Sequence, residues 1–242
     1  MPVTQRYQLF DILRGVAIVL MVYYHFSYDL THFGYAGFDF YHDPYWLHLR
    51  TFIVSLFLGL VGVSLVLASN HGINWQRYAR RLGLLIFFAL AITLNSYYMF
   101  PGRTIVFGIL HFIAFASVAG LLFVRGYWSS LVLGVAIVVL DMLFQHPFFN
   151  QYAIHWIGLM THKPATEDYV PVIPWFGVVL IGIFVGHSLL RRSVLQPLVG
   201  FHSRNRLARG LAFAGRHSLL IYVVHQPVLF GLVWLVNRLT MQ

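Results

Sequence analysis

Long apolar runs, each broken by a few polar positions, set the pattern of this chain. Windows of about 20 apolar residues mark membrane-spanning helices. They fall at residues 10–29, 49–69, 82–99, 105–124, 127–144, 171–190 and 218–236. The pattern predicts an all-α integral membrane protein, a bundle of about seven transmembrane helices, with residues 1–242 forming a single transmembrane domain. The first window departs from the others. Leu9–Leu30 is apolar enough to cross a bilayer, yet it carries Asp11, Arg14, His25 and Asp29. At about 100° per residue these four share one helix face, spread over about 27 Å of rise. Charge is costly in hydrocarbon, so the stripe should face the protein interior or a wet cavity. It reads either as an ion-pair network locking helices together or as a path between the two membrane faces.

Small residues recur at spacing four in two of the windows. Gly59 and Gly62, with Ser55 and Ser64, lie in the second window; Gly177, Gly182 and Gly186 lie in the sixth. Such rows let helices approach closely and predict packing faces. Pro171 and Pro174 suit a kinked helix entry. Trp175, with Tyr45 and Trp46 before the second window, fits an interfacial aromatic belt. The connecting segments 31–48 and 145–170 are long and aromatic, which argues for ordered loops. Within the second, Phe148–Met160 predicts a short interfacial or re-entrant helix. Residues 191–217 mix arginines with Leu207, Leu211 and Phe213, as an amphipathic helix at the headgroups would.

Composition changes this picture little. The chain is 59% hydrophobic and 10% charged, with a mean hydropathy of +0.74. Soluble domains average about 25% charged residues, so a soluble domain is excluded. The first apolar run lacks a small-residue cleavage site and is not expected to be a removable signal peptide. The absence of cysteine excludes disulfides and thiol nucleophiles. The net charge of +9 would suit nucleic acid, but its distribution follows the positive-inside rule. With the N-terminus in the cytoplasm, Arg6, Arg14, Arg77, Arg80, Arg81, Arg125, Arg191, Arg192, Arg204, Arg206, Arg209 and Arg216 lie inside. Arg50, Arg103, Lys163 and Arg238 lie outside. This bias predicts a cytoplasmic N-terminus and an external C-terminus.

Three of the thirteen histidines fall in predicted spans: His25, His111 and His225. Imidazole serves as base, proton relay, metal ligand or haem ligand. Asp29 follows His25 by one turn on the same face and is placed to orient it. Ser218, Tyr222 and His225 share a face of the last helix; Gly108 and His111 share a face of the fourth. Asp141 is a further acid within a span. In the run QRYARRLG, Arg77 and Arg80 point one way and Arg81 follows, an arrangement suited to phosphate, to anionic lipid or to topology alone. His42 and Asp43 lack a third partner that would make them a metal site. No metal is expected.

These residues resemble known membrane acyltransferases. Arg14 and His25, with ten residues between them in LRGVAIVLMVYYH, look like the Arg-x10-His signature of acyltransferase family 3, and Arg77 and Arg80 look like its Arg-x-x-Arg. A closer resemblance is to the bacterial DUF1624 proteins and the catalytic domain of heparan-alpha-glucosaminide N-acetyltransferase. It is carried by FDILRGVAIVLMVYYHFSYDL, FLGLVGVSLVLAS, VFGILHFIAFAS, YVPVIPWFGVVLIGIFVGH and GRHSLLIYVVHQPVL. The resemblance implies acetyl transfer across the membrane, from cytoplasmic acetyl-CoA to a hydroxyl or amine of an extracytoplasmic acceptor such as a glycan. Arg14, Arg77, Arg80 and Arg81 would hold the CoA phosphates, and His111 and His225 would line the thioester passage or donate to the developing oxyanion. His25 would act as base with Asp29 orienting it. The lysosomal relative has asparagine in place of His25 and an essential histidine in its first outer loop, for which His42 is the counterpart. The relatives have ten or more spans, so a homodimer is the expected way to complete the assembly. The implied location is a bacterial inner membrane, crossed several times. His25→Ala is expected to abolish acetyl-CoA turnover while sparing CoA binding. Two rivals use the same residues: a haem b electron-transfer protein ligated by intramembrane histidines, and a proton-coupled transporter using Asp11, His25, Asp29 and Asp141.

Overall fold

The structure is a computed structural model that describes residues 7–70, 72–99, 102–166 and 168–240; Arg6 lies outside them. It is helical throughout, with no strand among the described residues. The helices are α1 (Gln8–His32), α2 (Pro44–Ser69), α3 (Trp75–Met99), α4 (Ile109–Ala119), α5 (Trp128–Leu143), α6 (Val172–Arg191), α7 (Gln196–Val199), α8 (Arg206–Arg216) and α9 (Ser218–Thr240). Five of them, α1, α2, α3, α6 and α9, are long and apolar enough to cross a membrane. The shorter apolar segments Ile109–Leu122 and Trp128–Leu143 account for the other two predicted windows. At about 1.5 Å per residue, α5 falls short of a hydrocarbon core of about 30 Å.

The chain forms two compact units. One takes the chain up to Phe57 and again from Ser193; the other is Leu58–Arg192. In the first unit, α1 is the centre. Its polar stripe is also its contact face, because Gly15 lies on that side. A methyl group on Gly15 would fall on the Leu211 carbonyl of α8, and one on Gly215 would fall on the Asp11 carbonyl of α1. The two helices therefore touch backbone to backbone, which only glycine permits at these positions. Gln8 ties the same end to the chain before α8, accepting from Ser203 N–H (2.6 Å) and donating to its carbonyl (3.0 Å). Asn205 accepts from Leu207 N–H at 2.9 Å and caps α8. Above this, α1 meets α9: His25 faces His225, Asp29 bonds Gln226, and His32 packs on Phe230. The contacts climb both helices together, so α1 and α9 run parallel. Ile18, Met21 and Ile53 form the apolar core beside them, with Leu49, Phe57 and Ile221 packed around it.

Trp46 is not part of an interfacial belt. It is 3% exposed and sits among Tyr23, Tyr24, Phe38 and Phe40 with ring centroids 4.4–5.9 Å apart. The segment 33–43 folds back over α1 and α2, and the indole anchors it there. Tyr45 does remain exposed. Asp43 accepts from Tyr45 N–H at 2.9 Å, and Pro44 opens α2, a usual helix start.

In the second unit the glycine rows meet as their spacing predicts. A methyl on Gly62 would fall on the Val179 carbonyl, and one on Gly182 on the Gly59 carbonyl. Gly134 of α5 and Gly177 of α6 oppose each other in the same way. The segment Phe148–Met160 is not one helix. It holds two short 3-10 turns, Pro147–Asn150 and His155–Ile157, linked by irregular chain. Pro147 and the left-handed backbone at Gly158 (φ 104°) and Leu159 (φ 61°) break any longer run. Leu159 N–H donates to Asp141, so the acid of α5 holds this loop. α3 begins at Trp75, seven residues before its apolar window, because Asn74 accepts from Arg77 N–H at 3.0 Å and caps it.

Candidate functional site

The first unit carries an aspartate–histidine pair in the loop between α1 and α2. His42 Nδ1 donates to Asp39 Oδ2 at 2.9 Å, with Oδ1 at 3.2 Å. Asp39 Oδ1 also accepts from the N–H groups of Tyr41 and His42, each at 2.9 Å. The carboxylate is thus fixed by the backbone before it meets the ring. The Tyr41 N–H bond is the main reason that the Asp39 carboxyl titrates below the ordinary carboxylate range. With Nδ1–H committed to the carboxylate, neutral His42 presents the Nε2 lone pair. Its side chain is 85% exposed, so a solution-side acceptor can reach that nitrogen. This is the base-plus-orienter arrangement that the α1 spacing assigned to His25 and Asp29. The spacing Asp-x-x-His before a helix could have indicated Asp39.

His25 and Asp29 have other neighbours. His25 packs edge-on against Tyr24 and His225, with centroids at 5.7 and 4.9 Å. The two rings thus meet directly within the α1–α9 contact. His225 Nδ1 lies 2.6 Å from the Tyr222 carbonyl. A carbonyl only accepts, so Nδ1 carries the proton and Nε2 is bare. Asp29, 1% exposed, accepts from Gln226 Nε2 at 2.9 Å. Gln226 is a long-range partner with no signal in the sequence around Asp29. At the N-terminal end of the stripe, Arg14 bonds Asp11 at 2.7 Å, so this part of the stripe is an ion pair within α1.

The remaining predicted residues lie in the second unit. His111 is held on both sides. Thr93 donates its hydroxyl to the Ile105 carbonyl at 2.7 Å, so at the 3.0 Å contact His111 Nε2 must be the donor to Thr93 Oγ1. Nδ1 then accepts from Gly108 N–H at 3.3 Å. Asp168 Oδ2 accepts from Ile109 N–H at 3.0 Å and caps the start of α4. His111 therefore fastens α4 to α3 and has no ring nitrogen left over. Arg77, Arg80 and Arg81 sit exposed in the first two turns of α3. Three cations beside the positive end of a helix dipole repel it, and an anion bound there relieves that cost. Tyr78, between them in sequence, donates to the Ser117 carbonyl of α4 at 2.7 Å and fixes this end of the helix pair.

The family profile of the heparan-alpha-glucosaminide N-acetyltransferase catalytic domain matches residues 6–227. The chain belongs to this family. No curated protein and no solved structure matches it significantly. The match takes in α1 to α8 and the part of α9 that carries His225 and Gln226. Family membership, with five long apolar helices, makes the chain a membrane acetyltransferase. Among the described residues, no three metal-ligating side chains come together.

Proposed function

We propose that the protein transfers an acetyl group from cytoplasmic acetyl-CoA to a hydroxyl or amine on an extracytoplasmic acceptor, a glycan by analogy with the family's name. The observation that carries this reading is the Asp39–His42 pair, an exposed oriented base in a chain of an acetyltransferase family. His42 Nε2 takes the proton from the attacking hydroxyl or amine as the new bond to the acetyl carbonyl carbon forms. The C–S bond then breaks, and the proton passes to the leaving CoA thiolate. Asp39 keeps the imidazole in the tautomer that accepts and stabilises the imidazolium. The exposed arginines Arg77, Arg80 and Arg81 are the proposed holders of the CoA phosphates, by charge-assisted and bidentate hydrogen bonds. Arg14 joins them less readily, because its guanidinium already serves Asp11.

The parallel course of α1 and α9 supports an external C-terminus. Two parallel spans begin on the same face, so the chain crosses the membrane an odd number of times. That holds for five crossings, and for seven if α4 and α5 both cross. The bacterial inner membrane is the proposed location. A homodimer would bring the helix count nearer that of larger relatives.

The test is acetyl-CoA turnover by detergent-purified protein with a glucosamine-terminated oligosaccharide as acceptor. Turnover that is lost in His42→Ala and retained in His25→Ala supports His42 as the base. The opposite result moves the role to His25, inside the α1–α9 contact. No acetyl transfer by the wild type to any amine or hydroxyl acceptor overturns the reading.

A further inference from the structure

The α1–α9 contact contains a second polar centre, apart from the Asp39–His42 pair of the proposed function. Asp29 accepts from Gln226 through one carboxylate oxygen, Oδ1. The other, Oδ2, is buried and has no partner among the described residues. The Gln226 amide gives its nitrogen to Asp29, and its own Oε1 is likewise buried and without a partner. One rung away, His225 gives Nδ1–H to the Tyr222 carbonyl, and its Nε2 is the third such atom. All three leftover atoms are acceptors, and none is a donor. Asp29 Oδ2 and Gln226 Oε1 belong to two groups already joined by a hydrogen bond.

Buried polar atoms are nearly always paired, and a buried carboxylate needs a compensating charge. Among the described residues, no lysine or arginine is paired with Asp29. His32, three residues on in α1, acts on Asp29 electrostatically but is not bonded to it, and its ring packs on Phe33 and Phe230. A cation from outside the chain can supply the charge that complements Asp29. Two oxygens, one of them anionic, suit a hard cation or an N–H-bearing cation.

We propose that Asp29 Oδ2 and Gln226 Oε1 form a binding centre for a small monovalent cation, either an alkali-metal ion or a primary ammonium group. His225 Nε2, one rung away, is a further acceptor within the same helix contact. Occupancy ties α1 to α9 at the level where His25 and His225 meet.

The experiment follows thermal unfolding of the detergent-purified full chain at constant ionic strength in sodium, potassium, methylammonium or choline chloride. Choline is too large and has no N–H, so it sets the baseline. The expected result is a saturable rise in Tm over choline, about 3–6 °C at tenfold above the dissociation constant. Sodium or potassium acting alone identifies an alkali-metal site, and methylammonium acting alone identifies an ammonium site. The response should vanish in Asp29→Asn and in Gln226→Leu, either variant sufficing if the other does not fold. Equal Tm in all four salts overturns the proposal. So does a rise that grows linearly without saturating, or one that persists in a folded variant. Acetyl transfer is measured separately and has no bearing on these outcomes.

Discussion

Replacing Asp39 by asparagine changes one atom of the proposed catalytic pair and reverses the direction of its hydrogen bond. Asp39 Oδ1 accepts from two backbone N–H groups at 2.9 Å. Asparagine must keep its oxygen on those donors, because its NH2 cannot accept. The NH2 then occupies the place of Oδ2, 2.9 Å from His42 Nδ1. Facing a donor, His42 Nδ1 becomes the acceptor and the ring proton moves to Nε2. The exposed nitrogen is then an N–H, which cannot act as a base. A positioned general base contributes about 10²–10⁴-fold. The 85% exposed ring of His42 can rotate and exchange tautomers through water, so the lower end applies, a loss of about 10²-fold in acetyl-CoA turnover. The backbone bonds of the turn survive, so the unfolding midpoint should not move, and the KM for acetyl-CoA should be unchanged. Wild-type turnover in Asp39→Asn would refute the reasoning. A loss matched by a fall in Tm would show that Asp39 acts only through the fold of its loop.

Thr93→Val removes both the acceptor for His111 and the donor for the Ile105 carbonyl; unfolding should cost about 1–3 kcal/mol less, with the KM for acetyl-CoA unchanged. A raised KM at normal Tm would instead return His111 to the thioester passage. Gly215→Ala drives a methyl onto the Asp11 carbonyl and should lower stability by about 1–3 kcal/mol, as overpacking does; thermal melts check this. Burial of His155, 7% exposed, holds its imidazole below the ordinary value of 6.5. The unfolded chain therefore takes up this proton first as pH falls, so its share of stability is complete above about pH 6.5 and is lost below it. His155→Gln should show a smaller fall in Tm from pH 7.5 to pH 5.5, a range chosen to bracket the ordinary imidazole value, than the wild type does.

The helices and their faces were legible because they depend on local periodicity. The stripe Asp11–Arg14–His25–Asp29 does lie on the packed face of α1, and the glycine rows of α2 and α6 do meet. Partners from distant sequence were not legible. Nothing near Asp29 points to Gln226, and nothing near His111 points to Thr93. Both pairings depend on how helices pack, which one chain's periodicity does not encode. The loop histidine His42 is named by the family resemblance, whereas its partner Asp39 depends on an i, i+3 turn held by backbone N–H groups, which helical spacing does not reveal. Apolar windows placed the start of α3 late because Arg77, Arg80 and Arg81 depress hydropathy, although Asn74 signals the cap. Trp46 looked like a belt residue by position. Its burial reflects aromatic rings from other elements, two of them on α1 and two in the connecting loop.

The central claim is transfer of acetyl across a membrane through His42. The direct measurement is reconstitution of the protein in sealed vesicles. Radiolabelled acetyl-CoA is supplied on the face carrying Arg77 and Arg80, and the glucosamine-terminated acceptor is enclosed on the other. The account predicts labelled acceptor inside wild-type vesicles and none with His42→Ala. Label on the enclosed acceptor with His42→Ala, or none with the wild type while acetyl-CoA is consumed, would contradict it.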